Sequence, residues 1–164
     1  MNPLFPGRPS LSEVASAGTP SLEQAYRDQR HRLRQLAHTI LGSPMHIDDV
    51  VQDAFTTALR SGSVIEHPAA YLRTAVVNGC RDQMRRARVA RRMAHDRPVA
   101  IENPELDEMW RLVRGLPPKQ RLVLALRYGE DLSEIQIAAQ LDMPLGTVKT
   151  QIARGLATLR KDMK

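Results

Sequence analysis

The sequence predicts an all-α protein of two small helical domains joined by a flexible linker, with a helix-turn-helix in the second domain. Apolar residues recur at helical spacing in two stretches, and a segment with prolines and no period separates them. The chain is 42% apolar but only 4% aromatic, so its cores must consist mainly of aliphatic side chains, which suit helix packing. A length of 164 residues accommodates two domains of roughly 60 to 75 residues.

The N-terminal part of the chain divides into a tail and the start of the first domain. Residues 1–20 contain four prolines, two glycines and several serines. This composition cannot bury enough apolar surface to offset the entropy of ordering, so we expect a disordered tail. The first domain is predicted to span residues 21–92. Its first helix begins at Ser21, which forms an S-x-x-Q capping box with Gln24, and ends near Gly42.

Two further helices complete the first predicted domain. The second helix starts at about Asp48 and is expected to bury Val50, Val51, Ala54, Phe55, Ala58 and Leu59. Its opposite face carries Asp49, Gln52, Asp53 and Thr56. The third helix starts at Pro68, a residue favoured in a first helical turn, and runs to about Arg92. Its inward stripe consists of Leu72, Ala75, Val76, Gly79, Cys80 and Met84.

A linker and a second domain follow. Residues 93–104 have no helical period and contain two prolines, which indicates a flexible linker, and the second domain is predicted over residues 105–164. Its helices are predicted at Glu105–Leu116, Lys119–Tyr128, Ser133–Leu141 and Leu145–Lys161. Ser133 and Gln136 form a second capping box, and Asp142 suits a left-handed turn. The last two helices have the proportions of a helix-turn-helix.

Arginines are concentrated near the end of the third helix. The chain carries a net charge of +6, and seven arginines lie between Arg81 and Arg97 against two aspartates. Arg81, Arg85, Arg88 and Arg92 are spaced by four, three and four residues, so they line one face that can follow a phosphate backbone, and Arg86 widens it. The alternative is an ordinary solvated face, which the scarcity of compensating acids disfavours.

The second helix of the helix-turn-helix carries polar residues that suit base recognition. Such a helix directs its N-terminal residues to the major groove, where Arg and Lys pair with guanine and Thr contacts bases or phosphates. The candidates are Lys149, Thr150, Gln151 and Arg154. Taken alone, this pattern also fits the solvated face of a surface helix.

No catalytic, metal or cofactor site is predicted. Asp48, Asp49 and Asp53 have no His or Cys at ligand spacing beside them, and acids in a first helical turn stabilise the helix dipole without chemistry. The sequence also contains no phosphate-binding or dinucleotide-binding glycine motif. We therefore expect a protein that is not an enzyme and that uses no cofactor.

The cellular location is also constrained by the sequence. Cys80 is the only cysteine, so an intramolecular disulfide is excluded and a reducing compartment is indicated. Its position on the third helix predicts a small buried side chain. The N-terminus has no signal-peptide pattern, and no apolar run approaches the ~18 residues that span a bilayer. We expect a cytoplasmic protein without membrane insertion.

Several motifs resemble one family. Residues 48–55, DDVVQDAF, resemble the acidic signature of region two of extracytoplasmic-function (ECF) sigma factors, members of the sigma-70 family of bacterial RNA polymerase. Residues 67–72, HPAAYL, and Asn78 with Asp82, Arg85 and Arg86 resemble later motifs of that region. In the second domain, residues 116–121, LPPKQR, and 144–150, PLGTVKT, resemble region four. The resemblance covers nearly all of residues 21–161.

The resemblance implies a role for each surface. It implies that Asp49, Gln52 and Asp53 bind core RNA polymerase. It assigns Asn78 to a flipped base of the minus-ten promoter element, with Arg81, Arg85, Arg86 and Arg88 on its phosphates. It assigns Lys149, Thr150, Gln151 and Arg154 to the minus-thirty-five element. The partners implied are core polymerase and promoter DNA, with an anti-sigma factor as a further candidate.

The expected function is therefore promoter recognition, DNA melting and initiation of transcription at a specific set of promoters. The runner-up is a transcriptional repressor or response-regulator output domain that uses the same helix-turn-helix without polymerase. A nucleic-acid-modifying enzyme is a third class, for which no candidate active site is present. Co-purification with core polymerase distinguishes the first two, because a repressor binds duplex DNA unaided.

Overall fold

The computed structural model describes residues 20–93 and 108–164. Within these ranges the chain forms seven α-helices and one short π-helical turn, with no strand, so the predicted all-α class is confirmed. The predicted tail, except for Pro20, and the predicted linker, except for Met93, lie outside the described residues. No helix in the described part is both long and apolar enough to cross a membrane.

Three helices form the first helical group: α1 (Leu22–Leu41), α2 (Ile47–Arg60) and α3 (Pro68–Met93). Ser21 caps α1, because its hydroxyl oxygen accepts a hydrogen bond from the Gln24 backbone N–H at 3.2 Å. The predicted capping box is only half formed, since the Gln24 side chain donates to Asp28 at 2.9 Å instead of returning to the cap. The single cap bond stabilises the first turn of α1, which begins at the position that the sequence predicts.

The core of the first helical group consists of aliphatic stripes from all three helices. Its buried residues include Leu33, Leu36, Ala37, Ile40, Val50, Val51, Ala54, Ala58, Leu72, Val76, Val77 and Cys80. The expectation that Leu59 is buried is wrong, because its side chain is 47% exposed. Leu59 follows Phe55 along the edge of the α2 stripe, where Phe55 is only half-buried and stacks on Tyr26 with ring centroids 4.1 Å apart.

The second helical group contains α4 (Glu108–Gly115), α5 (Pro118–Leu124), the π turn (Ala125–Gly129), α6 (Glu134–Leu141) and α7 (Leu145–Asp162). The sequence predicts one helix from Lys119 to Tyr128, but the α-helical pattern ends at Leu124. The Glu130 N–H then donates to the Ala125 carbonyl five residues earlier, at 3.1 Å. The wider turn packs against α1.

The helix-turn-helix forms as the sequence predicts. Ser133 and Gln136 complete a reciprocal capping box, with bonds of 3.2 Å and 2.8 Å. Asp142 adopts a left-handed backbone with φ 50, as expected of a residue that tolerates this conformation. Gly155 lies buried where α7 crosses α5, and a Cβ atom there would approach Leu124 Cδ1 to 2.8 Å. Glycine at this position therefore allows α7 to pack closely on α5.

The two helical groups, which the sequence predicts to be joined by a flexible linker, pack against each other. The helix α1 contacts α4, α5 and the π turn. Arg121 of α5 donates to the carbonyl oxygens of Ile40 and Leu41 at the end of α1, at 3.1 and 3.3 Å. Gly42 follows with φ 68, and a Cβ atom there would approach the Arg121 guanidinium to 2.8 Å. Glycine is therefore needed at this contact.

The side chain of His38 on α1 is buried near this contact. Burial disfavours the charged imidazolium, and repulsion from Arg114 of α4 disfavours it further. Both effects lower the pKa of His38, from 6.5 to about 4. Because the folded chain binds this proton less tightly than the unfolded chain, the stability due to neutral His38 is complete above pH 6.5 and is lost as the pH falls toward 4.

We predict that the free energy of unfolding, measured by urea titration, falls by about 2 kcal/mol between pH 7 and pH 5 because of His38. His38→Gln should remove most of this pH dependence, since the amide does not titrate. His67→Gln, a change at an exposed histidine, serves as the control and should retain it. Equal pH dependence in the two variants would contradict the assignment.

Candidate nucleic-acid interface

The arginine face lies on the second half of α3. Because α3 is continuous from Pro68 to Met93, Arg85 and Arg88 share one side of the helix and Arg86 adjoins them. All three side chains are exposed, and Asn78 is exposed about two turns earlier. Arg85 pairs with Asp82 on the same helix. The structure therefore brings together the predicted residues of this surface, with the exception of Arg81.

Arg81 points away from solvent toward the second helical group. Its guanidinium Nη2 donates a hydrogen bond to the Leu141 carbonyl at 3.2 Å. Leu141 ends α6, the first helix of the helix-turn-helix. The sequence grouped Arg81 with the exposed arginines, since a partner 60 residues away leaves no local signal. Phosphate binding by Arg81 requires this hydrogen bond to break.

The recognition face lies on α7 and comprises Lys149, Thr150, Gln151 and Arg154. Lys149, Thr150 and Arg154 are exposed and Gln151 is half-buried, all within the first three turns of the helix. The Thr150 hydroxyl donates to the Gly146 carbonyl at 2.8 Å. Its oxygen can still accept a hydrogen bond, and its methyl group can contact a base. This arrangement suits entry into a major groove.

The acidic face lies on α2 and comprises Asp49, Gln52 and Asp53. All three side chains are exposed, opposite the buried Val50, Val51 and Ala54. The Asp49 carboxylate is 75% exposed and lies 3.8 Å from His46 Nδ1. Carboxylates repel a phosphate backbone, so the acidic face suits a protein partner.

Comparison with known families accounts for both helical groups. The model "Sigma-70 region 2" matches residues 25–96, and the model "Sigma-70, region 4" matches residues 106–159. The chain belongs to the sigma-70 family. A repressor with a helix-turn-helix would account for the second match only. The protein is therefore a sigma factor, which directs promoter-specific initiation of transcription.

Curated relatives place this sigma factor in the ECF group. It is 27% identical over 150 residues to the RNA polymerase sigma-E factor of Streptomyces coelicolor, covering 86% of this chain and 85% of that protein. It is 28% identical over 164 residues to the ECF RNA polymerase sigma factor SigW of Bacillus subtilis, covering 85% of each. The sigma factor RpoE of Bartonella quintana, solved in complex with the anti-sigma factor NepR, has the same fold. That match has a TM-score of 0.67 at 23% identity and covers 85% of this chain and 94% of that chain.

The structure of this sigma factor also contains an ionic site that sequence reasoning missed. Glu130 follows the π turn and is only 5% exposed. Arg32 of α1 contacts both of its carboxylate oxygens, with Nε–Oε1 and Nη2–Oε2 distances of 3.3 and 3.2 Å. Arg73 Nη1 of α3 lies 4.0 Å from Oε2. Burial is the main cause that lowers the pKa of Arg73; the nearby Glu130 opposes that shift, and Arg32 adds to it.

The sequence indicates no base-reading residue in the loop between α2 and α3, since this loop contains no aromatic residue. In this sigma factor the loop presents Val64, whose side chain is 95% exposed. An aliphatic group at a loop tip offers contact to a thymine methyl but no hydrogen bond. Val64 differs from Ile65, the other aliphatic residue of the loop, which is half-buried.

Proposed function

We propose that this sigma factor binds core RNA polymerase through the acidic face of α2, melts the minus-ten element with α3 and reads the minus-thirty-five element with α7. It acts in the cytoplasm, uses no cofactor and leaves catalysis to the polymerase. The observation that carries this proposal is the separation of one exposed acidic face and two exposed basic surfaces across the two sigma regions. The test is run-off transcription with core polymerase, with the transcript starts mapped by sequencing.

The acidic face supports the choice of polymerase as its ligand. Complementary charge steers a partner and fixes its register, so an exposed pair of carboxylates selects a basic protein surface. Asp49 and Asp53 lie one helical turn apart on the outer side of α2, and Gln52 between them adds an amide that both donates and accepts. Together they offer one continuous contact along the helix.

The α3 surface supports contact with separated strands. Exposed Asn78 carries an amide that can hydrogen-bond the Watson–Crick edge of an unpaired base. Arg85, Arg86 and Arg88 follow it along the helix and are suited to phosphates, which give affinity and position without sequence information. Base recognition at one end of the surface and phosphate contact at the other fit a strand that has left the duplex.

The recognition face supports contact with intact duplex. Lys149 and Arg154 can pair with guanine in the major groove, and Gln151 with adenine. Thr150 can contact a base methyl or a phosphate. We also propose an anti-sigma factor as a partner, because the structural relative from Bartonella quintana was solved in complex with one.

We predict that replacing Asp49 and Asp53 with Lys weakens binding to core polymerase more than about tenfold, since like charges then face each other. Fluorescence anisotropy with labelled sigma factor measures this affinity. Glu23→Lys combined with Asp162→Lys changes the net charge equally at exposed positions outside α2, and should bind core like the wild type. If the α2 variant also binds like the wild type, the acidic face is not the polymerase site.

We predict that Arg154→Ala costs about 1 to 3 kcal/mol at the minus-thirty-five element and relaxes base preference there, because it removes a bidentate base contact. Arg88→Ala is the matched comparison on the arginine face. It should weaken binding about equally across sequences and reduce the salt slope by about one unit. Binding titrations of holoenzyme on minus-thirty-five variants measure both effects, and an unchanged base preference in Arg154→Ala would refute its role.

We predict that Asn78→Ala impairs strand opening on duplex promoters and is partly rescued on a template mismatched at the minus-ten element. The physical reason is that the amide meets its base only after the strands separate. Permanganate footprinting measures opening on both templates. An equal defect on closed and pre-melted templates would show that Asn78 acts at another step.

A further inference from the structure

The arginine-rich surface of α3 contains one carboxylate. Asp82 is the only acidic residue of this helix, which carries seven arginines. It lies four residues after Asn78 and three before Arg85, so the three side chains share one side of the helix. The Asp82 side chain is 51% exposed. A carboxylate therefore lies in the middle of the surface that the proposed function assigns to the minus-ten strand.

Folding does not account for the presence of Asp82. It pairs with Arg85 on the same helix, and both side chains are exposed. Exposed pairs of this kind add little to stability, because water screens the two charges and the side chains lose conformational entropy. A carboxylate also repels the phosphates that the neighbouring arginines are suited to bind. Asp82 therefore weakens DNA binding unless its oxygen atoms meet a hydrogen-bond donor.

The donors on a promoter strand belong to its bases. A phosphate oxygen only accepts hydrogen bonds, as a carboxylate does, so the two cannot pair directly. Adenine, cytosine and guanine each carry an exocyclic amino group, which becomes accessible on the Watson–Crick edge when the base leaves the duplex. Thymine has no amino group, and its single ring N–H lies between two carbonyl oxygens that a carboxylate repels. Asp82 therefore favours an unpaired base other than thymine.

Asn78 and Asp82 are close enough to contact the same base. Residues four apart on a helix have Cβ atoms about 5 to 6 Å apart, a distance that the Watson–Crick edge of one base can bridge. The Asn78 amide both donates and accepts, whereas the Asp82 carboxylate only accepts. The two exposed side chains therefore offer one base edge an amide and, beside it, an acceptor.

We propose that Asp82 is a specificity-determining residue of the minus-ten surface. Its carboxylate, oriented by Arg85, accepts a hydrogen bond from the exocyclic amino group of the base that Asn78 holds, and it excludes thymine from that position. The inference rests on the proposed function, since it requires an unpaired promoter base on α3.

Arg85 supports this role in two ways. Its Nη2 contacts Asp82 Oδ1, and since a carboxylate has two oxygens and about four acceptor sites, this bond leaves capacity for an amino group. The positive charge of Arg85 also offsets the repulsion between Asp82 and the adjacent phosphates. The guanidinium has further N–H donors, which can bind one of those phosphates.

The test measures binding of holoenzyme to pre-melted promoter templates that differ only at the base assigned to Asn78. That base is the one at which Asn78→Ala abolishes base preference. The templates carry each of the four bases there, or the preferred base without its amino group: purine for adenine, 2-pyrimidinone for cytosine or hypoxanthine for guanine. Wild-type holoenzyme should bind the amino-free template about tenfold more weakly, because a hydrogen bond to a charged group is lost.

Asp82→Asn should lose most of this discrimination and accept thymine, because its amide can donate to a carbonyl oxygen as well as accept from an amino group. Asp28→Asn removes the same charge at an exposed position of α1 and should keep the wild-type preference. Circular dichroism verifies that both variants fold. The comparison of templates with the wild-type protein needs no variant, so a folding defect at position 82 leaves the test intact.

Three results would overturn the assignment of Asp82: a preference for thymine in the wild type, equal discrimination by the wild type and Asp82→Asn, or uniformly stronger binding of Asp82→Asn to every template. The last would show that the carboxylate only repels DNA. If Asn78→Ala instead keeps the wild-type preference at every minus-ten position, the role proposed for α3 fails together with that of Asp82. Loss of preference in Asn78→Ala but not in Asp82→Asn would refute the role of Asp82 alone.

Discussion

Arg121 lies where α1, α4 and α5 meet, and its guanidinium donates to the last carbonyl oxygens of α1 and to those of Arg114 and Leu116. Carbonyls at a helix C-terminus have no partner within the helix and carry partial negative charge. One planar cation satisfies the ends of two helices here. Burial lowers the pKa of Arg121, yet it remains charged. The contact between the helical groups, and with it the position of Glu130 and Arg81, depends on this junction.

Local rules predicted most of the fold. Helical periodicity placed α1, α2, α3, α6 and α7, and the caps at Ser21 and Ser133 fixed two of their starts within a residue. The predictions that were wrong concern features that depend on packing between helices. Leu59 has the apolar character of a core position but lies past the edge of the packed stripe, and the π turn follows from packing against α1, which no local pattern encodes.

For the functional surfaces too, the sequence predicts local features but not contacts between distant residues. Exposed faces could be predicted, because a residue opposite a buried stripe must meet solvent, and this holds for Asp49, Arg88 and Lys149. The pairing of Glu130 with Arg32 spans 98 residues, and that of Arg81 with Leu141 spans 60. Composition and spacing carry no information about such contacts. The sequence therefore indicates what each surface can bind, while the fold determines which of its residues are exposed.

The π turn between Leu124 and Glu130 has a consequence for how this chain tolerates length changes. A π turn holds one residue more than the α-helical turn it replaces. Loss of a single residue between Ala125 and Gly129 would let α5 continue as a regular helix, because the wider turn completes one revolution with one residue more. The segments after it would keep nearly the same rotation relative to α1. The π turn therefore allows the chain to hold one extra residue here while the helix-turn-helix keeps its direction.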